Sequence, residues 1–336
     1  MNKFNKFQND ISNSFKDLIK INLSPATKYR SRSEFAYNSD YYVMFDKNKN
    51  KIELDSLEIC ENEIYQLMPI ILNEINQSSL LKNGLFQINF RASLQNEVLI
   101  TLIYRNKICE NICSLIKILH EKYNINFYLR SKNELKIIGN EYLVSHIPSL
   151  KISLIQKDNT FFQPNKYLLE NMIAKSVSFI TNPNDLLELY CGIGTFSIPM
   201  SNIFNRILAT ENNRTSYKCL VKNIENNNIS NIFHARLSDD EISDLFKGKV
   251  FRRMKDVNID DFNFSHVLVD PPRSGLSENC IELIKNIENI IYISCNPESY
   301  INDINKLKNH NIKEIEIFDQ FPNTNHLEIV SLLSIN

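Results

Sequence analysis

An α/β fold is what these 336 residues predict: a doubly wound, seven-stranded C-terminal sheet with an antiparallel last strand, behind an α+β N-terminal half. Three observations predict it. Residues 266–299, HVLVDPPRSGLSENCIELIKNIENIIYISCNPES, hold two short apolar strands separated by a segment of helical period, which makes a βαβ unit. From Asp185 onward apolar strands alternate with amphipathic helices, and a final pair of strands is joined by a hairpin loop. Before residue 155 the pattern is mixed, with alternating strands in hairpins and helices between them.

The elements follow in order. Phe4, Phe7, Ile11, Phe15 and Leu18 recur at helical spacing, so residues 1–24 read as one amphipathic helix that breaks at Ser24-Pro25. Lys28 to Phe35 carries three cations within five residues beside aromatics. It reads either as a solvated strand edge or as a strand contacting phosphates. Strands at 41–45 and 51–54 form a hairpin, a helix covers 61–75, and 86–91 with 97–104 form a second hairpin. A helix at 108–120 and strands at 126–130 and 135–138 complete this half. Cys109 and Cys113 share a helix face with no third ligand near them in the chain, so they read as core rather than a metal site. Residues 145–160 read as the connection, giving an N-terminal domain over 1–155 and a C-terminal domain over 156–336. Phe161-Phe162-Gln163-Pro164-Asn165 then opens a helix reaching about residue 180. In the second half, strands are expected at 186–190, 206–210, 232–237, 266–269, 290–293, 313–318 and 327–333. Helices fall between them, one capped by Ser238 or Asp239.

The bulk properties exclude several classes. No apolar run has membrane length, and the charged N-terminus has no signal-peptide pattern. Seven scattered cysteines, an odd number, make no disulfide framework and fit a reducing cytoplasm. A formal net charge of −1 predicts no global attraction to nucleic acid, so a basic footprint must be local. The densest basic run is 247–255, KGKVFRRMK, which reads as a solvated loop or an RNA contact.

The polar clusters at the strand ends carry the chemistry. In an open parallel sheet, Asp270-Pro271-Pro272-Arg273 and Ser294-Cys295-Asn296-Pro297 emerge on one rim, where such sheets bind ligands. A thiol before a helix N-terminus is expected to have a lowered pKa, which suggests a nucleophile. The turn Cys191-Gly192-Ile193-Gly194 follows a strand, but Ser197 stands where a dinucleotide fingerprint needs its third glycine. Glu211, ending the next strand, is placed to accept from ribose hydroxyls. A nucleoside cofactor without a pyrophosphate fits this set, so S-adenosylmethionine is favoured over NAD.

Asp270-Pro271-Pro272-Arg273-Ser274-Gly275 together with Ser294-Cys295-Asn296-Pro297 resembles the RNA 5-methyluridine methyltransferases. The cofactor turn, Phe162-Gln163-Pro164-Asn165, His326-Leu327-Glu328, Tyr29-Arg30-x-Arg32-x-Glu34-Phe35 and Leu85-Phe86-Gln87-Ile88 extend the resemblance over nearly the whole chain. It is nearest to the type acting on tRNA. The resemblance implies a class I S-adenosylmethionine-dependent methyltransferase domain preceded by an RNA-binding domain. It implies Cys295 as nucleophile and Glu328 as proton acceptor. Gln163, Tyr190, Thr195, Glu211 and Asp270 would bind the cofactor, with Asp270 and Gln163 also able to read the uracil. Arg30, Arg32 and Phe86 would bind RNA. The implied substrate is the T-loop uridine of tRNA, with other T-loop-like RNAs beside it; the alternative is a uridine in large-subunit ribosomal RNA. The chain lacks the four-cysteine set of iron–sulfur-bearing relatives, so no metal or cluster, no membrane and a monomer are expected.

Overall fold

The computed structural model describes residues 3–11, 19–38, 40–46, 48–255 and 257–335; Phe15 and Leu18 lie outside the described residues. The N-terminal elements are α1 (Lys3–Asp10), β1 (Lys20–Asn22), β2 (Arg32–Asn38), β3 (Tyr41–Phe45), β4 (Lys51–Leu54), α2 (Asn62–Asn76) and α3 (Ser79–Lys82). There follow β5 (Leu85–Ala92), β6 (Val98–Tyr104), α4 (Glu110–Tyr123), β7 (Asn126–Ser131), β8 (Glu134–Ile138), β9 (Leu143–Ile147) and β10 (Ile152–Gln156). Strands β2 to β8 make one sheet in the order β4-β3-β2-β5-β6-β7-β8. All its pairs are antiparallel except β6–β7, which are joined through α4. Alternation decides which face is covered. Phe35, Tyr42, Ile88 and Phe90 point into a core closed by Ile64, Met68, Ile71 and Ile75 of α2 and by Ile112 and Ile116 of α4. Cys113 joins that core, but Cys109 caps α4 and is exposed, which corrects the reading of both as core.

The C-terminal elements are α5 (Lys166–Ser178), β11 (Asp185–Leu189), α6 (Ser197–Met200), β12 (Arg206–Thr210), α7 (Arg214–Asn226), β13 (Ile232–Ala235) and α8 (Asp239–Phe246). Next come β14 (Phe264–Val269), α9 (Glu278–Ile284), β15 (Asn289–Ser294), α10 (Pro297–Lys306), β16 (His310–Phe318) and β17 (Glu328–Ile335). Ser238 does cap α8, in a reciprocal box with Glu241. The sheet runs β1-β16-β17-β15-β14-β11-β12-β13, with β17 antiparallel to both neighbours. Successive residues of its central strands feed opposite cores: Leu187 and Leu189 pack with α1, α8, α9 and α10, and Leu186 packs with α5 and α7. Burial on both faces is why these strands are apolar throughout rather than alternating.

Three sequence expectations are corrected here. The sheet has eight strands, because β1 adds parallel to β16. The opening segment is therefore not one helix: α1 ends at Asp10, and residues 20–22 pair along an edge that helical backbone cannot serve. Residues 145–160 are more than a connection, because β9 and β10 form a hairpin packed on the C-terminal body. Asn223 of α7 binds both the N–H (2.6 Å) and the C=O (3.2 Å) of Ile155, and Asn227 does the same for Ser153 (2.9 and 2.7 Å). Side-chain amides thus satisfy a strand edge. Residues 3–11 and 20–22 pack or pair with the C-terminal elements, while the β9–β10 hairpin sits between the two halves, Ile147, Leu154 and Ile155 against the C-terminal core and Leu143 against Leu99 and Tyr128.

The two large sheets meet along a polar seam. Arg91, fully buried, donates to Gln156 Oε1 (2.6 Å) and to the carbonyls of Asp158 (3.0 Å) and Thr160 (2.6 Å). Arg130 grips the Asp158 carboxylate with two nitrogens. Ser31 N–H donates to the Pro164 carbonyl (2.8 Å), so the Arg30 strand and the Gln163 segment share backbone hydrogen bonds.

Candidate active site

The register of the sheet assembles the site. Leu189 pairs with Thr210 on one side and Val269 on the other, so the residues that follow, Tyr190, Glu211 and Asp270, emerge together. Neighbouring strands stand about 4.8 Å apart, which spreads these groups along one rim. Strand order reverses between β11 and β14, and the crevice opens there. Ser294 pairs with Ile329, and the same antiparallel register continues to place Cys295 across from Glu328. A thiol and a carboxyl separated by 33 positions in the chain are thereby brought to one place.

A cavity of about 390 Å³ collects Gln163, Tyr190, Glu211, Asp270, Cys295 and Glu328. Six of the residues singled out from the sequence therefore converge. Thr195 is buried beside the turn and does not line this space. Arg30 reaches its border, with its guanidinium 5.9 Å from the ring of Phe321, which lines the cavity. Arg32 pairs with Glu34, and Phe86 lies beneath the Arg105 guanidinium at 5.5 Å; neither lines the cavity. Sequence reasoning missed Phe161, 53% exposed at the mouth, as well as Phe321 and the part played by Arg273. The Asp-Pro-Pro-Arg cluster signalled Arg273; nothing local signalled Phe321.

The electrostatics are dominated by burial of like charges. Burial raises the Asp270 carboxyl to about 7. Glu328, 3% exposed, is held well above the carboxylate range by burial and then by Asp270, against the opposing pull of Arg273. Burial, then Glu328 and Asp270, push the Cys295 thiol up to about 11, and Arg273 opposes them. The expected lowering by a helix N-terminus, α10 beginning two residues on, is thus overridden, first by burial and then by the two carboxyls.

Beyond Tyr190 a second cavity of about 340 Å³ opens between apolar walls from Leu189, Leu237, Ile242 and Pro272, with Asp239 and Asn212 at its edge. Glu211 separates the two spaces, its carboxylate held by the N–H groups of Gly192 (3.0 Å) and Asn213 (2.5 Å). Gly194 has φ +91°, and a Cβ there would meet Leu220 and Ile198 within 3 Å, so the turn closes against α7 only with glycine. An apolar slot and a polar cavity that share the Glu211 carboxylate as lining suit a nucleoside cofactor. The residues present fit S-adenosylmethionine.

Comparison with known proteins agrees with this geometry. A tRNA/tmRNA (uracil-C(5))-methyltransferase of Campylobacter concisus is 39% identical, covering 95% of this chain and 93% of that protein. One of Acinetobacter baylyi is 38% identical, covering 93% and 91%. The crystal structure of Pyrococcus abyssi tRNA (uracil-54, C5)-methyltransferase in complex with S-adenosyl-L-homocysteine shares the fold. Its TM-score is 0.79 over 98% of this chain and 81% of that one, at 22% identity. Residues 2–335 match the model of the tRNA (Uracil-5-)-methyltransferase family, and this chain belongs to that family.

Proposed function

We propose that this chain transfers a methyl group from S-adenosylmethionine to C5 of the T-loop uridine of tRNA, through a transient bond from Cys295 to C6 of the uracil. The observation that carries the reading is the register that sets Cys295 opposite Glu328, with Asp270 one strand away, inside one cavity. The names of the Campylobacter and Acinetobacter relatives support tRNA, and tmRNA beside it, as substrates.

C5 of uracil is a weak nucleophile. When the Cys295 thiolate adds to C6, a C–S bond forms and the ring electrons gather at C5. Bound S-adenosylmethionine would supply the electrophilic methyl, and its sulfonium charge would favour ionisation of the buried acids beside it. C5 would take that methyl with its electron pair, while the methyl–sulfur pair stays on the cofactor as a neutral thioether. Glu328 then takes the proton from C5. That C–H pair rebuilds the C5–C6 double bond as the C–S bond breaks and its pair returns to sulfur. Asp270 and Gln163 are the polar groups facing the ring and the cofactor tail. Tyr190, Thr195 and Glu211 shape the cofactor side. A T-loop base must be extruded to reach this depth, at a cost of roughly a few kcal/mol. Arg30, Arg32 and Phe86 on the N-terminal sheet are assigned to holding the displaced loop, by phosphate contacts and stacking.

The test uses tRNA carrying 5-fluorouridine in the T-loop. Fluorine does not leave as a proton, so with cofactor present a covalent RNA–protein complex should survive a denaturing gel and map to Cys295. Cys295→Ala should form none and should lose methylation of ordinary tRNA by at least about 10³-fold. Normal 5-methyluridine formation by Cys295→Ala would overturn the reading.

A further inference from the structure

Helix α1 stands outside the chemistry described so far, yet it touches both sides of the site. Phe4, Phe7 and Ile11 anchor it in the core, and the Phe7 ring lies 6.1 Å from that of Tyr300 on α10, the helix that follows Cys295. At its other end, the Lys3 ammonium donates to Asp319 Oδ1 (2.5 Å), to the Phe321 carbonyl (3.0 Å) and to the His326 carbonyl (3.1 Å). Lys3 and Asp319 keep only 11% and 10% of their side-chain surface exposed, so the contact is shielded from solvent. These three acceptors span the loop between β16 and β17. Asp319 directly follows Phe318, which pairs with Glu328, and His326 stands two residues before Glu328. Phe321 and His326 also line the reactive cavity.

We propose that Lys3 is a positioning residue for proton abstraction. It clamps both arms of the 319–327 loop where they leave the sheet, and so fixes Glu328 against C5. The inference rests on the reading of Glu328 as the base. A charged donor meeting three acceptors within 3.1 Å fixes the loop more firmly than packing alone, because each bond is charge-assisted and largely screened from water. Addition of Cys295 does not need Glu328 in place; removal of the C5 proton does. Loosening the clamp therefore slows one step and spares the other.

The experiment compares Lys3→Met and Lys3→Arg with the wild-type chain and with Glu328→Gln. Trapping on 5-fluorouridine tRNA reports addition, and turnover on ordinary tRNA reports the whole cycle. Lys3→Met should trap fluorinated RNA at a rate within about twofold of wild type. Its turnover should fall about tenfold, with covalent complex building up on ordinary tRNA. Lys3→Arg should recover most of the turnover. Asp319→Asn, which keeps both carbonyl contacts, should show the same split more weakly and serves if Lys3→Met does not fold. Equal losses in trapping and turnover, or no loss in either, would overturn the proposal. If Glu328→Gln itself accumulates no covalent complex, the assignment of the base fails, whatever Lys3 does.

Discussion

Glu188 shows how far a single side chain can be read. It sits in a strand of leucines, 1% exposed, beneath the glycine turn, and burial followed by repulsion from Asp270 and Glu211 raises its carboxyl to about 8, against the opposing influence of Ser197. Its folded pKa therefore lies above the ordinary 4.5 that the unfolded chain retains. Between those values the native state keeps a proton that the unfolded state has released. Its contribution to stability is present below about 4.5 and is lost as pH rises toward about 8. Each unit of displacement is worth roughly 1.4 kcal/mol at most. Urea midpoints of the cofactor-free protein should fall from pH 5 to pH 8, and Glu188→Gln should flatten part of that fall; an unchanged profile would show that Glu188 is not the group responsible. At this scale Cys295 and Asp270 were legible from their local motifs. The state of the thiol was not, because it is set first by burial and then by Glu328, and only the folded sheet, with β15 paired to β17, supplies either.

The loop after β14 and the start of α10 behave as one unit. Asn296 donates from Nδ2 to the Arg273 carbonyl (2.8 Å), tying the residue beside the nucleophile to the Asp-Pro-Pro-Arg turn. Asp303, one face along α10, accepts from Leu276 N–H (2.8 Å) and from the Tyr292 hydroxyl (2.6 Å). Gly275 has φ +80°, and a Cβ there would come within 2.5 Å of Asp303 Oδ2, so turn and helix touch backbone to side chain. Asp303→Ala strands two buried donors and should cost about 2–4 kcal/mol, read as a shift in denaturant midpoint with an unchanged slope. Methylation should drop with it, since Asp270 and Cys295 sit at the two ends of this unit. Elements with strong periodicity, such as β12 and α8, were legible to within a residue or so. The β9–β10 hairpin was not, because its edge is completed by Asn223 and Asn227, and no period in the strand itself records a distant amide.

At the level of the whole molecule, two sheets must hold a fixed relation if RNA gripped by one is to present a base to the other. Arg91 makes that relation. Its three bonds reach the segment that leads directly into Phe161 and Gln163. Burial lowers its guanidinium to about 9, so the site carries little reserve for losing a partner. Arg91→Met should leave Gln156 and two carbonyls short of a donor, destabilise the chain by roughly 3 kcal/mol, and separate the hydrogen-exchange protection of β2–β8 from that of the C-terminal sheet. Protection lost uniformly would argue that the seam is not the weak link. The doubly wound order was legible because strand and helix alternate along the sequence. The membership of β1 was not: three residues, Lys20–Asn22, carry too little pattern to reveal a partner almost three hundred positions away.

That pairing governs how the molecule can be made. Because β1 lies against β16, and Lys3 against Asp319, residues 20–22 and the Lys3 ammonium find these partners only once residues 310–319 have been synthesised. The nascent chain can build its N-terminal sheet early, but its C-terminal sheet closes only after β16 and β17 have emerged. A partly synthesised protein thus has no finished crevice in which to engage RNA.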